Sequence, residues 1–387
     1  MTSCPYTSFA GQSPKTLVGR EEVLNSFAVT LGRARRGLGD KGIWLTGIHG
    51  IGKTVVLNEF VKVAEDEDYL VVFYKLSKSS KSFLSHFFNY SAEAIRHLSL
   101  SKNENSKVMG SERIFKSFAN RWSSSGVIYP LDVEPLEGKA DSGDLPFDLS
   151  ALLVSLGSAA KEEGKVVLFL LDDIHHLDSI QLSALVSAKR QIIQRGLPIV
   201  LVFAGLPSAP SLTAGVKDYL HESFNFFEIK ELNSTDARLA LTLPALKLGV
   251  SYSEEAIDYI LEYCHGSPMM IQEFGRQVWR HALDPLITLR DSELAVDTVT
   301  RTLDEEFFSF GVEEVPRSEQ LYLKALAGLG TGEHSQNMIA KALNKDSSAS
   351  IGSLTNRLLQ RGLIYRSQRG HVAFTFPGFT GYVERHF

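Results

Sequence analysis

Residues Gly47-Ile48-His49-Gly50-Ile51-Gly52-Lys53-Thr54 read G-x-x-x-x-G-K-T, and no other stretch restricts the fold of this chain so tightly. Glycines at these places let the backbone curl into a nest of N–H groups aimed at a phosphate. Lys53 brings a compact positive charge to the β and γ phosphates, and the Thr54 hydroxyl is placed to ligate Mg2+. The flanks agree with this reading. Ile43-Trp44-Leu45-Thr46 is a short apolar strand, and Val55-Val56-Leu57-Asn58-Glu59-Phe60-Val61 continues as a helix. A helix starting there turns the positive end of its dipole toward the anion. Gly47, Ile48, His49, Gly50, Ile51, Gly52, Lys53, Thr54 and Val55 are therefore the candidate phosphate-binding residues.

A chain of 387 residues has room for about two or three domains. A hydrophobic content of 44% and a charged content of 22% describe an ordinary globular protein. The net charge of −5 argues against coating nucleic acid through bulk charge, but it leaves room for a local basic face. Cys4 and Cys264 are the only cysteines, which excludes a disulfide scaffold and a cysteine-rich zinc site. A reducing cytoplasm is the expected setting. Residues 1–15 are rich in Ser, Thr and Pro and lack the apolar run of a signal peptide. The strongest apolar run, 166–171, is too short to span a bilayer, so no membrane partner is expected.

Periodicity predicts a helix over 21–36, ended by Gly37 and Gly39, and a strand over 69–74. Residues 77–147 are Ser- and Lys-rich and look like a polar insertion. They hold two or three helices, a polar stretch at 101–106 and a long loop from 123 to 145. Helices at 149–163 and 179–194 then alternate with apolar strands at 166–171, 198–204 and 226–229. Such alternation predicts an α/β fold with a doubly wound parallel sheet that binds ligands at the carboxyl ends of its strands. After Leu232 strands are no longer expected, and helices at 234–246, 253–264, 268–283 and 291–308 follow. Residues 315–387 offer three helices and a hairpin made by 362–366 and 371–376. The expected units are an α/β core over 1–232, a helical lid over 233–312 and a C-terminal domain over 313–387.

The strand at 166–171 runs directly into Asp172-Asp173. An apolar strand ending in two acids is the second nucleotide motif of phosphate-loop ATPases. Asp172 is the expected metal partner of Thr54, and Asp173 the group that orients and deprotonates an attacking water. His175-His176 follows, but no third ligand stands at metal-site spacing.

With these motifs the sequence resembles AAA+ P-loop ATPases over nearly its whole length, in particular the branch near origin-recognition initiators and STAND signalling ATPases. The resemblance implies a P-loop NTPase core, ATP and Mg2+ as ligand and cofactor, a helical lid and a C-terminal winged-helix domain. Leu17-Val18-Gly19-Arg20-Glu21 is similar to the segment that contacts adenine in that group, which implies Val18, Gly19 and Arg20 as nucleotide contacts. Gly266-Ser267-Pro268 resembles the lid motif whose proline, here Pro268, packs beside the nucleotide. Gln272, Phe274, Gly275 and Trp279 follow it as in many bacterial members. Phe374-Thr375-Phe376-Pro377-Gly378-Phe379 resembles the end of a winged helix.

Four departures bear on turnover. The second acid is Asp173 where the family commonly has Glu, which shortens its reach to a water by one methylene. Ala204-Gly205-Leu206-Pro207, near the family's sensor at the end of the fourth strand, carries no polar side chain before Ser208. Leu220-His221-Glu222-Ser223-Phe224 contains no arginine that could serve as a finger for a neighbouring subunit, and Arg190 and Arg195 read as solvated helix residues. Met269 and Met270 stand where initiators place a lid arginine. ATP binding with slow hydrolysis is the expectation.

From Glu313 onward nine Lys/Arg face six Asp/Glu, so this segment is positive while the whole chain is −5. A third helix of a winged domain can enter the major groove. Arg357, Arg361, Arg366 and Arg369 are thus the candidates for contact with duplex DNA. Protein docking or autoregulation is the competing use of the same surface. Two further expectations stay open beside an ATPase acting on DNA. One is a nucleotide-gated signalling or defence switch that regulates a protein effector. The other is a nucleotide-stabilised scaffold. A homo-oligomer is compatible with each.

Overall fold

The computed structural model describes residues 4–7, 12–77, 83–99, 107–122, 132–213, 217–309, 312 and 315–387. At its centre is a five-stranded parallel sheet of β1 (Gly42–Thr46), β2 (Leu70–Lys75), β3 (Val167–Asp172), β4 (Ile199–Gly205) and β5 (Phe224–Glu228). The strand order is β2-β3-β4-β1-β5. Successive side chains leave a strand on opposite faces, and here both faces are covered. Ile43, Leu45, Leu168, Leu170, Val200 and Val202 pack on α1 (Glu21–Arg35) and α2 (Lys53–Asp66). Trp44, Phe169, Leu171, Leu201 and Phe203 point the other way. They meet α3 (Phe83–Leu98), α4 (Lys107–Trp122), α5 (Leu145–Glu162) and α6 (Ser179–Gln194). Burial on both faces explains why these strands are unbroken apolar runs rather than alternating ones.

Among the described residues the insertion-like region contributes α3 and α4, and their aromatic residues Phe87, Phe88, Phe115 and Phe118 are fully buried, Phe87 stacked on Phe169 of β3 and Phe88 packed on Phe115 and Phe118. The polar stretch 101–106 lies outside the described residues, as does 123–131. Residues 132–144 are turns and loop, and α5 begins at Leu145, four residues before the periodicity indicates. Asp144 caps it by accepting from Phe147 N, and buried Asp148 accepts from Ser142 and Gly143 backbone N–H groups and from Trp122 Nε1. Side-chain capping sets this start, and apolar spacing does not report it.

After a short α7 (Lys217–Ser223) and β5, the chain forms α8 (Ser234–Leu246), α9 (Glu254–Cys264), α10 (Pro268–His281) and α11 (Leu289–Leu303). Strands do not stop here as the sequence indicates. The two-residue strands β6 (Ser251–Tyr252) and β7 (Leu286–Ile287) pair in parallel between the helices. Runs this short carry no periodicity to read. α11 continues as a wider π turn over Asp304–Phe308.

The C-terminal part comprises α12 (Arg317–Ala327), β8 (His334–Ser335), α13 (Gln336–Ala342), α14 (Gly352–Arg361), β9 (Ile364–Tyr365), β10 (His371–Phe374) and α15 (Phe379–His386). The hairpin of β9 and β10 lies within the expected one, and β8 adds to it in the order β8-β10-β9. The final helix α15 was not expected. Gly378 at φ +75° turns the chain into it, and Phe379, Tyr382 and Val383 bury one face.

The helices α8–α11 and the C-terminal part share one apolar core, in which Ile271, Phe274, Val299, Phe308, Tyr322, Leu358 and Phe379 all take part. Tyr6 belongs to that core too, so residues 4–7 pack on the lid rather than on the sheet. Arg385 makes a two-pronged contact with Asp304, tying α15 to the end of α11. Within the C-terminal part, Glu319 is fully buried between Arg357 Nε at 2.7 Å and Arg361 Nε at 2.8 Å. A carboxylate buried this deeply is stable only while paired. Glu319→Ala is therefore expected to lower stability by about 1–3 kcal/mol, read as an earlier midpoint in urea unfolding followed by Tyr or Trp fluorescence.

Candidate nucleotide site

β4 lies between β1 and β3, so the loops leaving β1 and β3 meet above its carboxyl end. Gly205, the last residue of β4, makes that meeting close. A Cβ there would stand 2.8 Å from Ile174 Cγ1, and its carbonyl accepts from Gly47 N at 3.2 Å. Packing thus explains why no polar side chain stands at this position.

The loop after β1 folds as its glycines require. Gly50 and Gly52 take φ of +71° and +101°, and Gly52 is the residue from which α2 starts. Lys53 is buried, and its Nζ donates to the carbonyls of Gly47 and Ile48, both at 2.8 Å. Burial lowers its pKa to about 8, against the opposing pull of Asp172 and Asp173. It remains a cation at neutral pH.

Thr54 Oγ1 donates to Asp172 Oδ2 at 2.6 Å. Asp172 is fully buried, and its Oδ1 accepts from Asp173 N at 2.9 Å. Asp173 sits in the left-handed region at φ 57°, which Asp tolerates better than most residues. Burial pushes its carboxyl pKa up to about 6, and the neighbouring Asp172 adds to the rise, while Lys75 and Lys53 oppose it. Lys75 Nζ stands 3.8 Å from Asp173 Oδ2.

These groups open onto a cleft of about 370 Å³, a size that suits a small organic ligand. His49, Gly50, Ile51, Gly52, Lys53, Thr54, Val55 and Asp173 line it, with Val18, Arg20 and Pro268 from the other candidate motifs. Gly19, Gly47, Ile48 and Asp172 are not among its lining residues. Gly19 takes φ +67° and donates its N–H to Glu21 Oε1. Arg20 is used chiefly as a backbone tie, because its guanidinium donates to Ile51 O at 3.1 Å, Lys230 O at 2.9 Å and Gly19 O at 2.9 Å. Pro268 opens α10 behind a Ser267 cap, and Gly266 O accepts from Leu232 N, which joins lid to core.

Sequence reasoning missed several cleft residues. Lys75 is one, and its only sequence signal is a lysine ending an apolar strand. The register that sets it opposite Asp172 exists only in the sheet. Phe307 and Phe376 also line the cleft. The C-terminal part reaches the phosphate loop itself: His49 N donates to Thr375 O at 2.8 Å, and the His49 ring stacks on Phe376 with centroids 4.8 Å apart. His175 lies against His49 and His176, and burial, with those two rings and Lys53, lowers its pKa to about 2, so it stays neutral. Arg190 is engaged over the Tyr219 ring at 3.9 Å rather than solvated.

The parallel sheet with a glycine-rich loop after β1 and a buried acid ending β3 defines a P-loop NTPase-like α/β fold. Residues 16–202 match the family model described as AAA ATPase domain, so the first half of the chain carries a domain of that kind. Residues 305–383 match a second model, described as Domain of unknown function (DUF8462). Nothing matches among curated proteins. Among solved structures, the chain is similar to the Walker-type ATPase PABY2304 of Pyrococcus abyssi at a TM-score of 0.59 and 14% identity, covering 96% of this chain and 97% of that one. A weaker likeness is to Cdc6p of Pyrobaculum aerophilum, at a TM-score of 0.47 and 15% identity over 97% and 96% of the two chains. Another is to the Aeropyrum pernix Orc1 protein, solved in complex with DNA, at 0.46 and 16% over 96% and 94%.

The raised pKa of Asp173 has a sign that can be tested. Between its ordinary value of 3.8 and about 6 the folded state holds a proton that the unfolded state has lost. This group therefore withdraws stability as pH rises through that window. Asp173→Asn should melt later than the unmodified protein at pH 7.5, with the difference shrinking below pH 4. Equal differences in thermal midpoint at both pH values would rule this out.

Proposed function

We propose that this protein binds Mg-ATP in the cleft and acts as a switch in which nucleotide state governs docking of the C-terminal part onto the phosphate loop. The observation that carries the reading is the Thr54–Asp172 hydrogen bond at 2.6 Å, which brings a hydroxyl and a carboxylate from the two motifs together beside the buried Lys53. An all-oxygen pair of this kind suits Mg2+. Thr54 and Asp172 would hold the ion, which when bound neutralises charge on the β and γ phosphates. Lys53 would exchange its contacts with the Gly47 and Ile48 carbonyls for phosphate oxygens. Asp173 is the candidate base for water. With a pKa near 6 it is ionised at neutral pH and protonated in mild acid.

The same residues support a reading of slow hydrolysis. Asp173 is short, Lys75 stands beside its carboxylate, and Gly205 supplies no side chain at the end of β4. The lid over 233–312 and a winged-helix domain over 313–387 would be the moving parts. The order of α12, α13, α14 and the β8-β10-β9 sheet supports the winged-helix reading. The contacts of His49 with Thr375 and Phe376 give the switch a physical form, because a ligand that displaces them shifts the docked population. This arrangement suits a STAND-like nucleotide switch.

The output is proposed to run through the C-terminal part. Arg366 and Arg369 are exposed near the β9–β10 turn and suit phosphate contact with duplex DNA. Arg357 and Arg361 are held by Glu319, and that observation favours the second reading, regulation of a protein effector without direct DNA binding.

Titration calorimetry with Mg-ATP tests the first claim. Lys53→Ala should weaken binding at least about tenfold, and absence of Mg-dependent ATP binding by the unmodified chain would remove the reading. Phe376→Ala, which removes a contact that the ligand displaces, should tighten nucleotide binding and slow release of a fluorescent ADP analogue. A steep salt-dependent affinity for duplex DNA, lost in Arg366→Glu/Arg369→Glu, would favour DNA as the output. No DNA binding at low salt would favour a protein effector.

A further inference from the structure

We infer that Gln272, oriented by Thr7, is a specificity-determining hydrogen-bond donor for the base or ribose of the bound nucleotide, an inference that rests on the nucleotide reading of the same cleft. The anchor is Tyr6, only 5% exposed within the lid core. Its hydroxyl donates to Leu241 O at 2.6 Å and pairs with the Tyr252 hydroxyl at 2.6 Å. Its ring fills a notch that exists because residue 275 is glycine, since a Cβ there would stand 2.6 Å from Tyr6 Cε1. Residue 7 is thereby held at the cleft.

Thr7 N donates to Gln272 Oε1 at 3.1 Å, and Thr7 Oγ1 donates to the same oxygen at 3.3 Å. A backbone N–H can only donate, so chemistry alone settles which end of the amide faces Thr7. The oxygen is consumed there, and the NH2 group is the end left for a ligand. Gln272 and Thr7 both line the cleft. Pro268 stands four residues earlier on α10, hence on the same helix face. With Leu17, Val18, Leu232 and Ala240 it supplies apolar surface to the cleft wall. The phosphate loop takes the phosphates, whereas an apolar wall suits a purine. A fixed donor beside that wall suits a ring nitrogen or a ribose oxygen.

The test is titration of the full chain with Mg-ATP, Mg-GTP and Mg-2′-deoxy-ATP. Gln272→Met removes the donors, and Gln272→Glu removes them while keeping an acceptor for Thr7. Both are expected to bind ATP about tenfold more weakly than the unmodified protein. Tyr6→Ala, which frees Thr7, should reproduce the loss. If the ligand atom is the 2′ oxygen, 2′-deoxy-ATP binds the unmodified protein weakly and the Gln272 variants no worse. If it is adenine N1, which guanine replaces with an N–H donor, 2′-deoxy-ATP loses affinity in the variants as ATP does, and any preference for ATP over GTP narrows; an equal loss for ATP and GTP would remove the specificity role. ATP affinity unchanged in folded Gln272→Glu, with thermal midpoint intact, overturns the inference. Failure of the unmodified protein to bind ATP at all would instead overturn the nucleotide reading beneath it.

Discussion

The hydrogen bond from Thr54 Oγ1 to Asp172 Oδ2 is the contact on which the cleft depends. It joins the first turn of α2 to the end of β3 across the carboxyl end of β4. Asp172 has no exposed surface, so its charge is tolerable only because Thr54 and Asp173 N both donate to it. That requirement fixes where α2 begins relative to the sheet, and with it the aim of the phosphate loop. Gly205 and Gly47 allow the approach, since side chains there would collide with Ile174 Cγ1 and Ile229 O.

Around this contact three parts of the chain converge. The sheet contributes the loop and the acids, α10 contributes Pro268 and Gln272, and the C-terminal part contributes Phe376. Because lid and C-terminal part share one apolar core, displacement of Thr375 and Phe376 from His49 would be felt throughout that body. Packed cores move between discrete arrangements rather than deforming continuously. The Arg385–Asp304 contact adds a polar tie within the same body.

Several sequence signals were legible because their chemistry is local. The glycine spacing of 47–54 can be read without knowing what surrounds it, as can the apolar strand ending in Asp172-Asp173. Other residues carried no local signal. Lys75 acquires its role only through the parallel register with β3. Arg357 and Arg361 looked like exposed cations, but Glu319, far away in sequence and fully buried, holds both. Arg20 looked like a nucleotide contact and is chiefly a tie between three backbone segments. Residues 4–7 fall within the stretch 1–232 assigned to the α/β core, although Tyr6 packs with the helices that follow it.

The sequence by itself determined the phosphate loop, the paired acids and the alternation that makes a parallel α/β sheet, because each follows from short-range geometry and a fixed side-chain period. The tertiary structure alone decided what closes the cleft. Thr7, Lys75, Gln272 and Phe376 meet there from separate parts of the chain, and their meeting is set by core packing that no local pattern records.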